Sequence, residues 1–130
     1  MLVPPPGSSA PEALCASFDH AASLGFLLTE EARAHHVDSG TVAEWAHSGR
    51  ARRFEHQRGV QRQTLVDLAA SAVAHCPSDT GTYWHERILS VDAGSIEGLV
   101  ESAPGLSTAT RRFITELVLI NRGRLIDVVR

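Results

Sequence analysis

The stretch FLLTEEARAHHVDSGTVAEWAHSGRARRFEHQRGVQR, residues 26–62, decides how this chain is read. Thr29 followed by Glu30 and Glu31 is a helix start: a hydroxyl that accepts from the first-turn N–H groups, then two carboxylates at the positive end of the helix dipole. That helix is expected to end at His36, and Ser39 to cap a second helix that closes near Ser48 and Gly49. Two helices that cross steeply need a small residue at the crossing and apolar residues around it, and Ala32, Val37, Val42 and Trp45 meet that need. After Gly49 the helical period stops. Ala51, Arg53, Gln57, Gly59 and Val60 suit a short β-hairpin with its tip near His56 to Gly59.

Charge sharpens the reading. The formal net charge of the 130 residues is -3, all 12 basic residues are arginine, and there is no lysine. A GC-rich coding sequence accounts for that bias before any function does, so position matters more than number. Residues 50–62 hold Arg50, Arg52, Arg53, Arg58 and Arg62 against Glu55 alone, whereas residues 1–28 hold Glu12 and Asp19 with no arginine. From residue 63 onward eight acids face six arginines. The pattern is a basic patch on an acidic body.

Upstream, Met1 to Ser8 contains Pro4, Pro5, Pro6 and Gly7 and is expected to be a loose arm. A helix is expected from Ser9, with Pro11 in its first turn, to about Leu24 before Gly25; Leu14, Phe18, Ala21 and Ala22 give it one apolar face. Downstream, Thr64-Leu65-Val66-Asp67 has the form of a capping box, Asp standing in for Glu, and opens a helix to about His75 with Leu65, Leu68, Ala69, Ala72 and Val73 facing inward. Pro77 to Thr82 is rich in turn formers and is the best internal boundary. Further helices are expected at Tyr83 to Val91, Ser95 to Ser102 and Ser107 to Asn121. Arg122-Gly123 is expected to end the last, leaving Leu125, Ile126, Val128 and Val129 as an apolar tail. The division is therefore an arm (1–8), a helical domain (9–76) and a helical C-terminal segment (77–130).

The run Val37-Asp-Ser-Gly-Thr-Val-Ala-Glu-Trp-Ala, with a glycine, a basic hairpin and a further helix behind it, resembles the helix-turn-helix superfamily, in particular its excisionase and MerR-type winged branch. The resemblance covers residues 26–76. It implies a mainly α fold, a winged helix-turn-helix with a short β-hairpin wing, and binding of double-stranded DNA in transcriptional control or excision-type architecture, without catalysis or cofactor. Ser39, Thr41, Glu44 and His47 then lie on the reading side, and Arg50, Arg52, Arg53, Arg58 and Arg62 on the phosphates. The reading side lacks the Arg, Asn and Gln that pair bidentately with bases, so affinity with modest sequence preference is expected. Phe113, Ile114, Leu117, Val118 and Ile120 make the last predicted helix apolar around more than half its circumference, either as the centre of the fold or as a homodimer or partner seam. The seam is the expectation here, because two linked sites raise effective concentration on one duplex.

Other chemistries compete. A helical adaptor with a protein partner and no DNA is the first alternative. A histidine-based metalloprotein or enzyme is the second: Glu44 and His47 share a helical face, but the second such pair that a di-iron bundle requires is missing. His75-Cys76-Pro77 is read as a helix stop before a haem ligand, and Trp45 and Phe54 as packing residues before stacking platforms for bases. Arg122-Gly123-Arg124 is read as a helix end before a minor-groove hook. Cys15 and Cys76 are too few and too far apart for a disulfide framework, and Met1 to Ala10 lacks the form of an export signal, so a reducing cytoplasm is expected. No apolar run approaches the roughly 20 residues that cross a bilayer.

Overall fold

The structure, a computed structural model, describes residues 24–50 and 62–129. The arm, the helix expected from Ser9, and most of the hairpin, with Arg52, Arg53, Phe54 and Arg58, lie outside the described residues. Among those described are six helices: α1 (Glu30–Asp38), α2 (Val42–Ser48), α3 (Leu65–Ala74), α4 (Ser78–Leu89), α5 (Ala93–Ser102) and α6 (Thr108–Val128). No β-strand occurs among them. The one β-type pairing is an isolated antiparallel bridge between Arg50 and Thr64. No helix of the described residues is long and apolar enough to cross a membrane.

α6 is the axis of the fold and packs against every other helix, while α1 also meets α2 and α3 meets α4. Its residues Phe113, Ile114 and Leu117 are buried with Val37, Val42 and Ala46 in one cluster, and Leu28, Trp45, Val118 and Ile120 pack on that cluster. Phe113 has no exposed surface and Leu117 only 2%. Val118 and Ile120 are half-buried, and the three buried residues sit at the centre of the fold. Buried within one chain, Phe113, Ile114 and Leu117 have almost no side-chain surface to offer a second copy. The turn formers of Pro77 to Thr82 do not separate one core from another either: Pro77 is the N-cap of α4, and Ser78 to Thr82 begin the helix itself.

Gly123 does not stop α6, which continues to Val128. The cost of a helical glycine, about 1 kcal/mol, is outweighed by what the continuation buries and bonds. Arg122 Nε and a terminal nitrogen donate to the carbonyls of Val91 (2.6 Å) and Leu89 (3.1 Å), Arg124 donates to Ala46 (3.1 Å), and Val129 ends up buried. No heavy atom lies within 4 Å of where a Cβ on Gly123 would stand. Gly123→Ala is therefore expected to raise stability by about 0.5–1 kcal/mol, read as a higher urea midpoint at unchanged slope.

Three helix starts fall where the sequence places them, at Thr29, Thr64 and Ser107, whereas α2 starts at Val42, α4 at Ser78 instead of Tyr83, and α5 at Ala93 instead of Ser95. Thr29 accepts from the Ala32 N–H, and Thr64 and Asp67 form the reciprocal capping box. The inward face of α3 is rotated by about one residue from expectation: Val66 is buried, whereas Leu65 is 56% exposed and Ala72 is exposed as well. Leu68, Ala69, Ala70 and Val73 are half-buried beside Val66, so the shift leaves Leu68, Ala69 and Val73 of the expected face in place. His75 caps the end of α3, its Nδ1–H donating to the Ser71 carbonyl at 2.6 Å, in keeping with a helix stop before Pro77.

A polar latch joins the two ends of the core. Glu30, at the start of α1, accepts hydrogen bonds from Ser107, the N-cap of α6, and from Thr110 Oγ1 (2.6 Å). Arg33, one turn on, donates to Thr110 (3.3 Å), lies 3.5 Å from the Glu30 carboxylate, and reaches the carbonyls of Gly25 and Phe26. The Ser107 hydroxyl, then that of Thr110, then the Arg33 charge hold the Glu30 carboxyl below the usual range. Asp67 and Asp92 are held low too, chiefly by Thr64 and by the Ser95 backbone. A carboxyl with a depressed folded pKa contributes stability above its unfolded pKa and loses it as pH falls through the folded one. The thermal midpoint should thus fall as pH drops through and below the ordinary carboxylate range, and Glu30→Gln should flatten part of that fall. Circular dichroism melts across the range would check both.

Candidate nucleic-acid interface

The turn between α1 and α2 sets the relation of the two helices. α1 runs through His36 to Asp38, and the left-handed residue is Gly40 (φ 68°), where the missing side chain makes that conformation inexpensive. The N–H of Gly40 bonds to the Val37 carbonyl (3.2 Å) and that of Thr41 to the His36 carbonyl (2.9 Å), which is a complete Schellman motif. Ser39 is therefore the C-cap of α1 and not the N-cap of α2. Its hydroxyl lies 2.7 Å from the His35 carbonyl and 2.9 Å from Thr41 Oγ1. Thr41, the residue before α2, makes no side-chain cap bond and pairs with His36 Nδ1 at 2.8 Å.

Below this turn the rings stack into the core. Trp45 meets Phe113 edge to face, with centroids 5.3 Å apart and planes at 70°, and His36 lies 6.4 Å from Trp45 and 6.2 Å from Phe113. Such edge-to-face pairs suit the ring quadrupole. Trp45 is half-buried and serves packing, as the sequence reading has it.

Of the predicted reading residues, Glu44 and His47 are exposed on α2. The His47 Nδ1–H donates to the Ala43 carbonyl at 2.7 Å, which leaves Nε2 as the other ring nitrogen. Ser39 and Thr41 hold the turn together with the hydroxyls that were expected to meet phosphate. The guanidinium of Arg50 folds back on the carbonyls of His47 (2.6 Å) and Gly49 (3.2 Å). Arg62 is exposed. Asp38, an acid at the edge of the turn, is offset by Arg112 of α6 at 3.7 Å. Among the described residues no three His, Cys, Asp or Glu side chains stand close enough together to hold a metal ion.

The Arg50–Thr64 bridge brings the two ends of segment 51–61 together beside the C-terminal end of α2. The Asp67 carboxylate there is held low first by its bonds with Thr64, and the charges of Arg124 and Arg50 add to that effect. Sequence reading assigned no carbonyl-binding role to the arginines outside residues 50–62. Four of them instead satisfy carbonyls at chain reversals: Arg33 behind Gly25, Arg124 at the end of α2, Arg122 at the end of α4, and Arg111 at the end of α5, where it holds Val100, Glu101 and Ala103. Helix ends leave such carbonyls without partners, and a planar five-donor fork serves several at once.

Comparison with known protein families, with curated proteins and with solved structures finds no match for this chain.

Proposed function

We propose that the chain binds double-stranded DNA through α1, α2 and the basic segment that follows them, as a small regulatory or architectural protein with no catalysis. The observation that carries this reading is the antiparallel Arg50–Thr64 bridge. It closes a loop whose sequence holds four arginines, Arg52, Arg53, Arg58 and Arg62, against one acid, and sets the base of that loop next to a two-helix unit joined by a three-residue turn. A hairpin wing on residues 51–61 fits this closure. The Schellman turn at Gly40 and the shared core of Val37, Val42 and Trp45 favour a rigid presentation of α2.

The chemistry of the surface favours affinity over sequence reading. Glu44 and His47 offer little to base edges, and the hydroxyls of Ser39 and Thr41 are engaged in the turn, so the arginines supply most of the interaction with phosphates. Each phosphate contact releases counterions and steepens the salt dependence. Fluorescence anisotropy of a labelled random-sequence duplex, titrated at several salt concentrations, tests the proposal. Three to five arginine contacts predict a slope of log K on log salt of about -3 to -4.5. Absence of binding at low salt would remove the proposal and leave α1 and α2 as core elements.

A further inference from the structure

An open groove of about 550 Å³ runs between α4, the α4–α5 connection and α6. Its walls are mostly apolar, with Trp84, Ile88 and Val91 on one side and Val118 and Leu125 on the other. Trp84 and Val91 remain 44% and 45% exposed. The charged side chains that line it are Arg87 and Arg122, and no carboxylate does so. Arg122 is spent on the Leu89 and Val91 carbonyls, which leaves Arg87 as the charge at the rim.

Leu24, the first described residue, also lines this groove. The chain upstream of the groove therefore starts at its edge, and 23 residues lie before it. Their sequence complements the groove in two ways. Leu14, Phe18, Ala21 and Ala22 fall on one face at helical spacing, and Glu12 and Asp19, seven apart, fall together on a flank of that face. Residues 1–23 contain both these acids and no arginine. Were these residues helical, a rise of about 1.5 Å per residue would put Phe18 about 9 Å and Leu14 about 15 Å back from Leu24, within reach of the groove walls.

We propose that residues 9–23 are the occupant of this groove, their apolar face against Trp84, Ile88, Val91 and Val118 and their acidic flank toward Arg87. The tether makes the contact intramolecular, so modest burial suffices at any protein concentration. The inference is independent of DNA binding.

The test is amide hydrogen exchange on the full chain, compared with Leu14→Asp/Phe18→Asp. Exchange at residues 84–91 and 118–125 is expected to speed up by about tenfold, while residues 32–38 and 110–117 keep their rates. Unchanged rates along the groove would overturn the proposal. So would groove protection in the unaltered chain that rises with protein concentration, which would assign the cover to a second copy. Should the double variant lose the protection of residues 110–117 as well, the charge pair decides. Arg87→Glu is expected to speed exchange along the groove, and Glu12→Arg/Asp19→Arg in the same chain to reverse that change. Failure of the reversal would overturn the pairing of this segment with the groove.

Discussion

Replacing Phe113 by alanine is expected to lower the unfolding free energy by about 3–5 kcal/mol, close to the limit for a single substitution. The ring is fully buried, and it is the point at which three parts of the chain meet. Trp45 of α2 stands edge to face with it, and the His36 ring of α1 lies 6.2 Å from it, beside Trp45. Gly25 completes the enclosure: a Cβ there would stand 2.7 Å from Phe113 Cε1, and the backbone φ of 73° already favours glycine. Alanine would leave a cavity that none of these neighbours can fill, because a Schellman turn fixes α1 against α2 and the Glu30–Arg33 latch fixes α1 against α6. Small domains have about 5–15 kcal/mol of stability in all, so the variant should melt lower by about 10–20 °C or fail to fold. Leu99→Ala is the control, since Leu99 is 73% exposed and its loss should matter by under about 0.5 kcal/mol. A Phe113→Ala protein that melts within about two degrees of the parent would mean that α6 does not form the axis of this fold.

The sequence made the helix starts legible because capping is local. Thr29 and Thr64 announce their helices within four residues, and the capping box at Thr64 is present as read. Helix ends were harder. His36 and Ser39 were assigned by composition, but the left-handed requirement falls on Gly40, and a Schellman motif then fixes both neighbours. Gly123 has a glycine's local signature for a stop, yet α6 passes through it because Arg122, Arg124 and Val129 find partners in other helices. The phase of α3 turned on the same kind of information: Leu65 and Val66 are equally apolar, and contact with α6 decides which is buried. The link of Glu30 to Ser107 and Thr110 spans some 77 to 80 positions and has no local signature at all. As for the candidate interface, residue types and their order were legible, whereas the engagement of Ser39, Thr41 and Arg50 in backbone bonds could be seen only in three dimensions.

Reversing two charges in the loop, Arg53→Glu with Arg58→Glu, is expected to weaken DNA binding by roughly 60- to 100-fold near about 0.1 M salt. Counterion release sets that figure: each lost phosphate contact removes about 0.9 from the slope of log K on log salt, so two contacts should flatten it by about 2. Repulsion by the new carboxylates adds to the loss. Both residues are charged and lie outside the described residues, and the Arg50–Thr64 bridge at the base of the loop involves neither. The melting temperature should therefore move little while affinity collapses. Arg50→Glu is the instructive contrast. Its guanidinium holds the carbonyls at the end of α2, so that variant should lose stability together with any affinity. If Arg53→Glu/Arg58→Glu binds DNA as the parent does, with the same salt slope, the basic loop has no role in binding. The Arg50–Thr64 bridge would then join two segments of the core and nothing more, since a slope that survives the loss of two positive charges must come from contacts elsewhere.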